Sequence, residues 1–107
     1  MKKVYVICEA MLCTNFTVGM YNISDVSFVF TSKKRAHEQL DAIKERVENG
    51  GWWMNHKGEK VIGKVLKDSG EYDMGKTIYR DIEIQHPQGN RAIWRMKSVY
   101  VNSGYGI

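Results

Sequence analysis

The sequence predicts an α+β domain, a single mainly antiparallel sheet of about four to five strands in the order ββαβββ with one helix on one face. Three observations carry that prediction. Only one stretch, Thr31 to Gly51, repeats its apolar residues at helical spacing. The segments on either side alternate apolar and polar residues with many β-branched and aromatic members, the habit of strands. The 107 residues, 43% hydrophobic and 26% charged, contain no internal repeat or proline-rich linker, so residues 1–107 form one domain with its own core.

Lys3 to Ala10 reads as the first strand, with Val4, Val6 and Cys8 on one side and Tyr5 and Ile7 on the other. MLCTNF reads as a connection. Phe16, Val18 and Met20 then begin a second strand, in which Asn22, Ser24 and Asp25 mark a kink or bulge, or a turn out of it. Val26 to Phe30 resumes the pattern with Phe28 and Phe30 on one face, so the first half is a hairpin feeding the helix.

Thr31 or Ser32 is the expected N-cap and Asn49 with Gly50 the stop. Between them Ala36, Leu40, Ile43 and Val47 step by four, three and four and share one stripe, enough to cover one sheet face. The first turn carries Lys33, Lys34 and Arg35, where the positive end of the helix dipole disfavours each exposed cation by about 0.3–1 kcal/mol. Two readings are open: an anion site built from first-turn amides and basic side chains, or a solvated turn with Lys34 and Arg35 leaning on Glu38.

After the helix, WWMNHKGEK ends in a His56-Lys57-Gly58 turn. Val61 to Lys67 reads as a strand and Asp68 to Gly75 as a mobile connection. Lys76 to Gln85 is a strand with Ile78, Ile82 and Ile84 opposing Tyr79, Asp81 and Glu83; Arg80 breaks its apolar side, which suggests an edge. His86 to Asn90, with the sole proline Pro87, makes a turn, and Arg91 to Val101 completes a hairpin before the flexible tail SGYGI.

One helix cannot cover two sheet faces. The second face is expected to meet solvent, another chain or a ligand, with Tyr5, Ile7, Val29 and one side of the last hairpin among its members.

The net charge of +4 and pI near 9.1 favour polyanions or acidic surfaces. Aromatic and basic residues interleave twice, as Trp52, Trp53, His56, Lys57 and Lys60, and as Arg91, Trp94, Arg95 and Lys97. Such a pattern suits single-stranded nucleic acid, whose bases stack on rings while cations meet phosphates. The alternative is that the tryptophans pack in the core, Trp94 with Met96 on one strand face.

Catalytic chemistry has no comparable pattern. Asp81 and Glu83 share a strand face but lack a third metal ligand, and His37 with Asp41 one turn later reads as a surface pair. Cys13 has nothing beside it in sequence to lower its pKa, and no glycine-rich phosphate loop occurs. No enzyme activity, cofactor or metal is expected. Cys8 and Cys13 form no Cys-x-x-Cys motif and read as free thiols of a reducing cytosol. Glu9 interrupts the N-terminal apolar run, no cleavage pattern follows, and no membrane helix is expected. The localisation implied is cytoplasmic.

The succession VYVICEA, a hairpin, and VFTSKKRAHEQLDAI resembles small, uncharacterised ββα-type proteins of bacteria, phages and mobile elements. The resemblance covers roughly the first half of the chain. It implies a prokaryotic accessory or regulatory protein and carries over no functional residues.

The function expected is therefore that of a small non-enzymatic binding or regulatory module, acting through protein contact or self-association as a homodimer. The alternative is a nucleic-acid binder that uses a basic and aromatic surface. Its candidate contact residues are Lys33, Lys34, Arg35, Trp52, Trp53, Lys57, Lys60, Arg91, Arg95 and Lys97.

Overall fold

The computed structural model describes residues 2–12, 21–50, 53–54, 56–86 and 91–101. Two long strands, β1 (Lys2–Leu12) and β8 (Arg91–Val101), lie side by side in a regular antiparallel register from Lys2↔Val101 to Leu12↔Arg91. On one side β1 pairs β2 (Tyr21–Phe30); on the other, β8 pairs β7 (Thr77–Gln85). The outer edge of β7 is shared end to end by β5 (Lys64–Asp68), opposite Ile82–Gln85, and β6 (Tyr72–Met74), opposite Thr77–Tyr79. The result is a six-stranded antiparallel sheet with the path β2-β1-β8-β7-β5.

The sheet has one strand more than the sequence predicts, because the connection expected at Asp68 to Gly75 is largely ordered. Gly70 and Gly75 adopt left-handed backbone at φ 67° and 66°, which lets the chain turn on either side of β6. Val61 to Lys67 is also not one strand. Lys60–Val61 forms β4, which pairs Trp53–Met54 (β3) across the His56–Gly58 turn, and the Gly63 N–H then bonds the Val47 carbonyl at 3.1 Å. That bond ties the chain to the helix end before β5 begins.

The helix α1 spans Lys33–Asn49. Ser32 is its N-cap, accepting the Arg35 amide, and Gly50 closes it at φ 72° with its N–H on the Arg46 carbonyl. Ala36, Leu40, Ile43 and Val47 are all fully buried, as their spacing requires. They pack on Tyr5, Ile7, Ile82, Ile84, Ala92, Trp94 and Met96, with Phe28, Phe30, Val65 and Ile78 around the rim. Burying each large aliphatic chain here contributes about 1.5–3 kcal/mol.

Tyr5 and Ile7 therefore belong to the covered face, not the open one. Cross-strand pairs share a face, so Tyr5 lies beside Phe30 and Ser98, and Ile7 beside Phe28 and Met96, all on the helix side. Val29 is 60% exposed on the open side, as expected. The β1–β2 register slips twice, between Phe28 and Val26 at Ser27 and between Val26 and Ile23, where the extra residue falls at the Ser24–Asp25 kink. The expected alternation at Phe16, Val18 and Met20, the Pro87 turn, Cys13 and the SGYGI tail lie outside the described residues.

Candidate functional surface

Two polar arrangements stand out, one on each side of the sheet. The first centres on Arg80, which faces the helix with 8% of its surface exposed. It does not lie on an edge strand, since β5 and β6 flank β7. A guanidinium has five N–H donors and no acceptor, and all five are engaged here. Nε meets Asp68 Oδ1 at 3.1 Å, and Nη2 meets both Asp68 Oδ2 and Asp41 Oδ1 at 2.7 Å. Nη1 reaches His37 Nδ1 at 3.0 Å and the His37 carbonyl at 3.5 Å.

Asp68 also accepts from Lys44 Nζ and from the Gly70 amide, both at 2.9 Å. The Arg80 hydrogen bond, with Lys44 and Gly70 helping, holds its carboxyl well below the usual carboxylate range despite partial burial. His37 Nε2 lies 2.9 Å from Glu71 Oε1, and this bond, with Lys33 at 3.4 Å, lowers the Glu71 pKa.

His37, Asp41 and Lys44 step by four and three along the helix beside its apolar stripe and bring these charges against β5 and β7. His37 and Asp41 are thus joined through Arg80, not paired with each other. Sequence reading missed Lys44, Asp68, Glu71 and Arg80. The available signal was Arg80 itself, a cation on the apolar side of a strand, which asks for buried acceptors.

The second arrangement is the helix-free face. Asp81 holds Arg95 through two contacts, to Nε at 2.7 Å and Nη2 at 3.2 Å, and accepts the Tyr72 hydroxyl at 2.6 Å. Burial and the Asp81 bond raise the Tyr72 pKa, and the same carboxylate raises that of Arg95. Tyr72 stacks on Tyr79 at 5.4 Å between ring centroids, and the Arg95 guanidinium lies 5.2 Å from the Tyr79 ring centre. Glu83 faces Arg91 at 3.8 Å. On the β2–β1–β8 half, Val29 pairs Val6 and Val4 pairs Val99, forming an apolar strip with Cys8 at one end.

The ten predicted contact residues do not form one surface. Lys33, Lys34 and Arg35 lie on the helix, over the covered face; Lys33 pairs with Glu71, and neither Lys34 nor Arg35 ion-pairs with Glu38. Lys57 and Lys60 belong to the β3–β4 hairpin, whose Lys60 sits against Gly50 at the helix end. Arg91, Arg95 and Lys97 occupy the helix-free face. Trp52 lies outside the described residues, Trp53 contributes backbone to β3, and Trp94, 5% exposed, is core. Asp81 and Glu83 bind arginines, and among the described residues no three His, Cys, Asp or Glu side chains form a metal cluster. No helix among the described residues is long and apolar enough to cross a membrane.

Compared with protein-family models, curated proteins and solved structures, the chain matches none.

Proposed function

We propose that this protein is a non-enzymatic binding module that acts through protein contact at the helix-free face of its sheet. The observation that carries this reading is the asymmetry of the sheet. One face is sealed by the apolar stripe of α1, while the other presents Val4, Val6, Val29 and Val99 beside exposed cations. A partly apolar sheet face over which none of the described elements packs is a surface for a partner. The Arg80 cluster supports the same reading from the other side. Its donors are all used and both ring nitrogens of His37 are engaged, so it works as a clamp between helix and sheet.

A single-stranded nucleic acid is the second reading, favoured by the excess of cations on the same face. A second copy of the chain stacked on this face would bring like charges together, which opposes that mode of self-association.

The test is selection of short displayed peptides from an unbiased library on the immobilised protein. Selected peptides should lose binding to Val29→Asp and to Lys97→Glu and keep binding to Glu45→Lys, which alters the outer side of the helix. Peptides indifferent to the sheet-face changes but lost with Glu45→Lys would move the binding surface to the helix.

A further inference from the structure

The helix-free face is charged asymmetrically. Strand pairing places six cations on it, Lys2, Lys64, Lys67, Arg91, Arg95 and Lys97, against two carboxylates among the described side chains, Asp81 and Glu83. Both carboxylates are already held by Arg95 and Arg91. The remaining lysines, Lys2, Lys64, Lys67 and Lys97, are exposed and form no ion pair among the described residues. An exposed lysine array beside a low-dielectric apolar strip draws anions and repels cations.

We infer that the partner is an acidic protein segment that also carries apolar side chains, laid across β1, β8 and β7 with its carboxylates on the free lysines and its apolar residues on the valine strip. This inference rests on the proposed function and adds the chemistry of the partner. Two features favour a polypeptide over a nucleic acid. Tyr79 is flanked by Tyr72 from β6 and by Arg95 from β8, so its ring is already occupied and gives a base no free platform. The valine strip of Val4, Val6, Val29 and Val99 matches apolar side chains and offers a phosphodiester chain nothing to bond. Complementary charge of this kind sets partner choice and association rate, while the apolar contact supplies affinity.

The experiment is fluorescence anisotropy with three labelled probes: a peptide alternating Glu and Val, its Gln and Val counterpart, and an oligothymidine. The Glu peptide should bind, weaken as salt rises, and lose about tenfold in affinity to the Gln peptide and to a Lys64→Gln, Lys67→Gln, Lys97→Gln variant. These lysines are exposed, so the variant keeps its fold, which circular dichroism checks. Equal affinity for the Glu and Gln peptides overturns the acidic partner while leaving the sheet face as the binding surface. Tighter binding of oligothymidine than of the Glu peptide overturns it in favour of nucleic acid. Failure of the Glu peptide to bind also overturns it, whereas the binding-module reading stands or falls on the library selection.

Discussion

Arg80 and Asp68 meet as a forked pair, Nε on Oδ1 at 3.1 Å and Nη2 on Oδ2 at 2.7 Å, across the boundary between the helix layer and the sheet. Their side chains are only 10% and 22% exposed. Removing one partner of a buried pair strands the other, so Arg80→Ala should cost about 3–5 kcal/mol. The Asp41 side chain is 62% exposed, and Asp41→Asn should cost less than about 1 kcal/mol. Urea unfolding at neutral pH measures both. Equal costs for the two variants would refute the view that burial sets the value of these bonds.

The same pair makes stability depend on acid. The folded-state pKa of Asp68 is depressed, mainly by its Arg80 bond, and that of Glu71 is lowered mainly by its His37 bond. Such carboxylates add stability above their unfolded values, near about 4, and the gain is lost as pH falls toward the folded values. Glu9 has the opposite sign, since burial raises its pKa above 4.5 and stability drops as pH rises through that range. Asp68→Asn should lower stability at neutral pH and flatten the acid side of the profile, so that its curve converges on the parent protein's at low pH. Parallel acid limbs for the two proteins would contradict the role given to Asp68.

His37 should hold one tautomer. The Arg80 guanidinium offers only donors, so His37 Nδ1 accepts and the ring hydrogen sits on Nε2, directed at Glu71. Long-range proton–nitrogen spectra at alkaline pH should show the Nε2–H form, and Arg80→Ala should release the ring to a mixture. A dominant Nδ1–H signal in the unaltered protein would break the chain of bonds from Glu71 to Asp68.

Gly50 and Gly58 form a matched comparison, both left-handed, at φ 72° and 78°. A Cβ on Gly58 meets nothing within 4 Å, whereas one on Gly50 lies 3.3 Å from Ile62 Cγ1 and 3.4 Å from the Lys60 Cβ. Gly58→Ala should cost about 1 kcal/mol of backbone strain, and Gly50→Ala more, about 2 kcal/mol, because the β3–β4 hairpin must also shift. Thermal unfolding of the two variants side by side checks the order.

The Thr31 to Gly51 stretch shows what local information can do. A hydroxyl cap, an apolar residue every third or fourth position and a terminal glycine each act within one or two turns, so helix, limits and buried stripe were all legible before any tertiary contact was considered. Strand parity was legible too: Ile78, Ile82 and Ile84 share the covered face, and Phe28 and Phe30 do likewise. Which parity faced inward on β1 was not. Tyr5 and Ile7 on one side and Val4, Val6 and Cys8 on the other are both apolar, and pairing with β8, some ninety residues away, decides between them.

Arg80 marks the same boundary more sharply. By sequence alone it interrupts an apolar strand face; in the fold, its acceptors come from positions 37, 41 and 68, separated by as many as 43 residues. The candidate surface has the same origin, since Lys64 and Lys67 reach Arg91, Arg95 and Lys97 only through strand pairing, while Lys33, Lys34 and Arg35 are carried to the other side. The sequence by itself determined one helix, its buried stripe, the strand alternation and the net positive charge, because those depend on neighbours a few bonds away. Only the tertiary structure decided which face is core, which cations stand together and which are neutralised, because strand register and helix docking bring together charges that are distant along the chain.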